Sequence, residues 1–111
     1  MGLFSLVVYA LFPKWIGVQA FYGFLSKQGF SKAAVSKEFV LDIVEKAQRL
    51  SEFTSVGKGL GARCAGFTET LELNALQVAL LLRLPPSENQ LFGDSESIVR
   101  LMDKHRIPRA K

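Results

Sequence analysis

An apolar run of 23 residues, LFSLVVYALFPKWIGVQAFYGFL (3–25), limits the folds open to this chain because Pro13 and Lys14 interrupt it at its middle. As one α-helix the run would rise about 34 Å, more than the roughly 30 Å of a bilayer's hydrocarbon layer. Its twelve Leu, Ile, Phe and Val residues favour membrane insertion by about 4–7 kcal/mol, whereas a central lysine opposes it by about 2.5–3.5 kcal/mol. Insertion as a single spanning helix is therefore marginal.

Two arrangements of the run remain open. In the first it is one helix in or on a membrane, where Lys14 needs an acidic partner from another chain and Trp15 suits the interface. Its small and polar residues then share a stripe that suits packing on a neighbouring helix, formed by Ser5, Tyr9, Gln19, Gly23, Ser26 and Lys27. In the second, Pro13 divides the run into a hairpin of short helices, 3–12 and 15–25, which belongs to the core or to a partner interface.

The residues after the run bear on its orientation and targeting. Lys27, Lys32 and Lys37 follow it and no charge precedes it, so a spanning run would place the C-terminal body on the cytoplasmic or matrix side. A cleaved secretory signal is not indicated, because the first residues carry no positive charge and Ser26-Lys27-Gln28 is not a small-residue cleavage site. We expect a membrane location, with an organelle inner membrane as one candidate.

Helical periodicity continues through the rest of the chain. Ser31 is a candidate N-cap for a helix of about twenty residues, whose inner face carries Val40, Ile43, Val44, Ala47 and Leu50. Thr68 is a candidate cap for an apolar core helix that ends at Pro85-Pro86, and a capping box from Ser87 and a cap at Asp94 or Ser95 follow. The last helix directs Ile98, Val99, Leu101 and Met102 inward. We predict an all-α domain of four to six helices, with an apolar N-terminal segment, 1–28, and a helical body, 29–111.

The stretch SVGKGLGARCAGF (55–67) is the one that resembles a ligand motif. It lacks the lysine of a phosphate-binding loop and the G-x-x-G spacing of a dinucleotide fingerprint. A flexible connection is the favoured interpretation, because three glycines in five residues cost a helix roughly 1 kcal/mol each. Two alternatives stay open: an anion contact at Lys58 and Arg63, and a helical seam of small residues at Gly57, Gly61 and Ala65.

Residues with catalytic potential are few. Cys64 is the only cysteine and His105 the only histidine, and about forty residues separate them, so neither a disulfide nor a Cys–His pair is indicated. We expect no metal site, no cofactor, no small-molecule substrate and no enzymatic activity. The basic end, residues 100–111, suits an acidic protein or lipid surface; nucleic acid is a weak candidate because the tail lacks interleaved aromatic residues.

These observations favour a non-catalytic accessory subunit of a membrane-associated complex, which anchors by its N-terminal helix and docks on larger protein subunits. The expected membrane or partner contacts are Ser5, Tyr9, Lys14, Trp15, Gln19, Gly23, Lys27 and Lys32. The alternative is a soluble all-helical interaction or regulatory module that uses the aromatic N-terminal segment as its interface.

Overall fold

The computed structural model describes residues 3–83 and 95–108. Its α-helices are α1 (Leu3–Leu11), α2 (Pro13–Lys27), α3 (Lys37–Thr54), α4 (Leu60–Arg83) and α5 (Ser95–Lys104), with a 3-10 turn at Lys32–Ala34. The described residues contain no strand, so the all-α prediction is confirmed, and the five helices fall within the expected range. The predicted stop at Pro85-Pro86, the capping box from Ser87 and a cap at Asp94 lie outside the described residues.

The apolar run divides at Phe12. Phe12 has φ −136° and ψ 61°, because a following proline disfavours the α conformation in the residue before it. Hydrogen bonds of α-helical spacing reach this residue from both sides: Phe12 N donates to Val8 O at 2.7 Å and Ile16 N donates to Phe12 O at 3.1 Å. The hairpin arrangement was therefore right to divide the run but wrong to place Lys14 in a turn, since Lys14 lies in the first turn of α2.

The two helices formed from the run are short, with nine residues in α1 and fifteen in α2. The continuous spanning helix considered from the sequence is not formed. Among the described residues, no helix has both the length and the apolar character required to cross a membrane.

Helix α2 ends in a Schellman motif. Gly29 adopts φ +89°, a conformation that glycine enters without a steric penalty. Phe30 N donates to Leu25 O at 3.1 Å and Gly29 N donates to Ser26 O at 3.0 Å, so the last carbonyls of the helix are satisfied.

Helix α3 begins five residues later than predicted. Ser36 is its N-cap, and the Ser36 hydroxyl accepts a hydrogen bond from Phe39 N at 3.2 Å. Ser31 instead precedes the 3-10 turn and makes no side-chain cap bond. The buried face of α3 contains the predicted Val40, Ile43, Val44 and Ala47 together with Phe39 and Ser51, while Leu50 is half exposed.

Helix α4 begins nine residues earlier than predicted, at Leu60. Thr68 is inside the helix, where its hydroxyl donates to Cys64 O at 2.9 Å rather than capping an end. The non-helical connection is short, 55–59, and Gly57 in it has φ +80°. The free energy gained by burying the inner face of α4 outweighs the loss of helix stability caused by Gly61 and Gly66.

The predicted small-residue seam is wrong. Gly57 lies outside α4, and a Cβ added at Gly61 would meet no atom within 4 Å. The close approach of α3 occurs at Gly66 instead, where a Cβ would lie 3.6 Å from Ser51 Oγ and 3.8 Å from Ser55 Oγ. Ser51 Oγ donates to Arg63 O at 2.5 Å, which joins α3 to the first turn of α4.

Helix α4 is the central element, since each of the other four helices packs against it. The largest fully buried side chains come from α2, α3, α4 and α5, among them Phe21, Phe39, Phe67, Leu25, Leu71 and Met102. The predicted inner residues Ile98, Leu101 and Met102 of α5 are buried and Val99 packs partly against the core, as expected. On α4, the predicted apolar core helix, Leu73 and Leu76 are nevertheless 56% and 37% exposed.

Candidate membrane or partner interface

The N-terminal helices carry a row of exposed apolar side chains, Phe4, Val7, Leu11, Phe12 and Trp15, called the apolar row below. Their exposed fractions are 80%, 47%, 66%, 61% and 59%. The helical spacing of Phe4, Val7 and Leu11 places them on one face of α1. Together the five side chains expose on the order of 600 Å² of apolar surface, the upper end of what a soluble monomer presents in one patch.

Tyr9 holds the opposite side of α1 against the core. Its ring lies 5.4 Å from the ring of Phe67 on α4, measured between centroids. Burial raises the pKa of Tyr9 above its ordinary value, and a hydrogen bond with Ser51 opposes that shift. Tyr9, expected as an outward contact, is therefore part of the core, and its burial leaves the apolar row directed away from the protein.

Lys14 finds its acidic partner within the chain. Its Nζ lies 3.2 Å from Glu45 Oε1 on α3, and the two side chains are 60% and 46% exposed. Because the run is divided into α1 and α2, the single helix in which Lys14 would need a carboxylate on another chain is not formed. A pair this exposed contributes little to stability, but it satisfies the one charge in the apolar run.

Only the α2 part of the predicted polar stripe is exposed in the described structure. Gln19, Gly23 and Ser26 are exposed and line a shallow depression of about 270 Å³ with Lys32. The Lys32 ammonium lies 5.6 Å from the centroid of the Tyr22 ring, and that of Lys27 lies 5.6 Å from the Phe24 ring. These lysines are at the far end of α2 from the apolar row. Ser5 lies in α1, and its side chain is outside what the structure describes.

Lys58 and Arg63 occupy different settings at the start of α4. Lys58 is exposed in the connection, where its backbone N–H donates to Ser55 O at 2.9 Å. Arg63 is half buried, and its Nε has no hydrogen-bond partner among the described residues. An anion contact at this position stays a prediction.

A groove between α3, α4 and α5, called the α3–α5 groove below, was not expected from the sequence. It has a volume of about 320 Å³, and its apolar walls include Ile43, Leu50, Leu73 and Ile98. Lys46, Asn74, Gln77 and Ser97 also line it. The available signal was the excess of leucines on α4 over what one buried face of a helix can hold.

The one histidine joins α5 to α3. His105 Nε2 lies 2.6 Å from Asp42 Oδ2, Lys104 Nζ lies 3.7 Å from the same oxygen, and the His105 ring meets Phe39 edge-on at 5.8 Å. The hydrogen bond with His105 holds the pKa of Asp42 below its ordinary value.

Cys64 is buried, and burial raises the pKa of its thiol. Within the described residues, no three His, Cys, Asp or Glu side chains are grouped to hold a metal ion.

Comparison with known proteins brought no relative: no family, no curated protein and no solved structure matches this chain. We therefore infer function from the geometry and charge of the described residues.

Proposed function

We propose that the protein is a non-catalytic accessory subunit of a membrane-associated complex, and that it rests on the bilayer surface through the apolar row while its helical body docks on larger subunits. The observation that carries this proposal is the row itself. It combines three aromatic side chains with two aliphatic ones on adjoining helices, and no acidic residue occurs before Glu38. Interfacial helices bury such a face about 5–10 Å deep, at the boundary of headgroups and acyl chains.

The position of each charge supports a surface location. Lys14 lies between Phe12 and Trp15 in the sequence, but its side chain is 60% exposed and pairs with Glu45 on α3, so the row can enter the interface while the ammonium group stays with this partner. Lys27 at the end of α2 and Lys32 in the 3-10 turn that follows are both exposed, and basic residues near a bilayer gain about 1 kcal/mol each from anionic lipids. Tryptophan favours the headgroup level, and the single tryptophan, Trp15, lies in the row.

Fluorescence of Trp15 provides a direct test. The full chain is titrated with vesicles of phosphatidylcholine and with vesicles of equal parts phosphatidylcholine and phosphatidylglycerol. We expect a blue shift of the Trp15 emission, with stronger binding to the anionic vesicles. The double variant Phe4→Ser with Leu11→Ser is expected to bind at least about 100-fold more weakly, because each change removes roughly 1.5–3 kcal/mol of apolar burial.

Leu73→Ser is the matched control, since Leu73 is 56% exposed but lies on α4. It should bind vesicles as the unmodified chain does. An unshifted Trp15 emission in both kinds of vesicle, or an equal loss of binding in the Leu73 variant, would exclude the row as a membrane contact.

A second candidate is a soluble interaction or regulatory module whose apolar row is covered by a partner protein. It is favoured by the pair between Lys14 and Glu45, because a charge already satisfied within the chain needs no carboxylate from a membrane-embedded neighbour. Density-gradient flotation at neutral pH of membranes from cells that express the full chain separates the two candidates. Flotation of the chain with the membranes supports the first, and its absence from the membrane fraction together with an unshifted Trp15 emission in vesicles supports the second.

A further inference from the structure

The α3–α5 groove has the composition of a binding site for an amphiphile. Its deeper surface is formed by the buried side chains of Ile43, Ala47, Ile98 and Leu101. Its volume of about 320 Å³ is at the small end of the roughly 300–1,000 Å³ typical of ligand sites. The stretch of α3 that lines it, from Ile43 to Leu50, rises about 10 Å, which an extended chain of roughly eight carbons fills.

Polar side chains at the rim of this groove have no partner within the described part of the protein. Lys46, Asn74 and Gln77 line the groove, and none of these side chains makes a hydrogen bond or ion pair with another described residue. Asn74 and Gln77 are three residues apart on α4, so they lie on one face of that helix. A few convergent polar groups around an apolar floor are the usual composition of a small-molecule site.

The charges of the lining favour an anionic head group. Among the residues that the structure describes, Lys46 is the only charged one that lines the groove, so a carboxylate or phosphate there would meet this cation and no described carboxylate. Ser97 lies in the first turn of α5 and lines the same groove, which brings the positive end of that helix's dipole to the site.

We propose that the α3–α5 groove binds a single-chain amphiphile with an anionic head group, of the kind represented by a medium-chain fatty acid. The chain lies along Ile43, Ala47 and Leu50, and the head group is bound by the Lys46 ammonium with the amides of Asn74 and Gln77. This site is separate from the proposed membrane contact, since the apolar row lies on α1 and α2 and the groove on the other three helices.

The test uses the isotope-labelled full chain and sodium decanoate below its micelle concentration. Nuclear magnetic resonance is expected to show perturbation of the side-chain amides of Asn74 and Gln77 and of the backbone amide of Ser97, with binding that strengthens from hexanoate to decanoate. Lys46→Gln is expected to weaken decanoate binding about tenfold, the worth of one charge-assisted contact. Lys37→Gln removes an equivalent exposed cation outside the groove and should leave binding unchanged.

Four results would overturn the proposal. They are an absence of decanoate binding, equal binding of decan-1-ol or decyltrimethylammonium, unchanged binding by Lys46→Gln, and perturbation confined to the apolar row. None of these affects the vesicle experiment, in which Lys46 does not take part. Conversely, loss of vesicle binding in the row variants with decanoate binding intact would show that the two sites act independently.

Discussion

At the scale of single residues, Gly17 sets how closely α2 approaches the core. A Cβ added at Gly17 would lie 2.7 Å from Phe67 Cζ and 2.7 Å from Val44 Cγ1, distances at which one of the partners must move. Phe67 also contacts Tyr9, so its ring packs against residues on both sides of the bend at Phe12. This one aromatic side chain therefore joins both halves of the apolar run to α4.

Replacing Gly17 by alanine should destabilise the protein by about 1–3 kcal/mol, the usual cost of overpacking a core. Gly23 is the matched control, since it lies in the same helix and its added Cβ would meet nothing within 4 Å. There the same change should stabilise by about 0.5–1 kcal/mol, because alanine loses less backbone entropy on helix formation. Urea unfolding followed by circular dichroism measures both, and equal signs for the two variants would contradict this packing.

At the scale of elements, α5 is held by its termination and by the contacts of Lys104 and His105 with Asp42. Arg106 has φ +55°, and Ile107 N donates to Met102 O at 2.9 Å, so the helix ends in the same motif as α2 but without a glycine. This end directs His105 toward Asp42 on α3. Sequence spacing located α5 well but was silent on this contact, because the two residues are 63 positions apart.

The contact between Asp42 and His105 predicts a specific loss of stability in acid. The pKa of Asp42 is lowered from 3.8 by the His105 hydrogen bond. The contribution of this contact to the free energy of unfolding is therefore complete above that ordinary value. It declines as the pH falls below 3.8, where the unfolded chain takes up the proton first, and it vanishes below the lowered pKa of the folded state.

Asp42→Asn should therefore reduce the free energy of unfolding by about 1 kcal/mol at neutral pH, and this deficit should disappear in acid. Denaturant unfolding of both chains across the acid range measures the difference. Glu69→Gln is the control, because Glu69 is exposed and has no ion pair among the described residues. A deficit that persists unchanged below the ordinary carboxyl pKa would point to lost packing instead of lost charge.

At the scale of the whole molecule, the N-terminal segment is divided between core and surface. Helix α2 buries Val18, Phe21 and Leu25 in the same core as α3 and α4, whereas α1 contributes Tyr9 as its one fully described buried side chain. The apolar run is thus partly a structural element of the body and partly an exposed surface. Each of these roles corresponds to one of the two sequence hypotheses for the run: the exposed surface to the membrane helix, and the core element to the hairpin.

Two deletions distinguish these roles. Removal of residues 3–25 takes Phe21 and Leu25 from the core, at a cost of about 3–5 kcal/mol for each large side chain, which is comparable with the roughly 5–15 kcal/mol that stabilises a whole domain. That chain should lack a cooperative thermal transition. Removal of residues 3–11 should leave a cooperatively folded protein with a lower melting temperature, measured by circular dichroism. A cooperative melt of the first deletion would show that the helical body folds alone.

Short-range pattern was sufficient to predict the helical class, the inner face of α3 and the inner face of α5, because apolar residues recur there at helical spacing. It was also sufficient to indicate a break at Pro13, since proline restricts the residue before it whatever the fold. Tertiary packing decided where α3 and α4 start. Ser31 and Thr68 are acceptable caps in isolation, and only the packed core shows that α3 follows the cap Ser36 and that α4 begins at Leu60. It also paired Lys14 with Glu45 and directed Tyr9 inward and Leu73 outward, since each of these depends on neighbours that are distant in sequence and adjacent only in the folded chain.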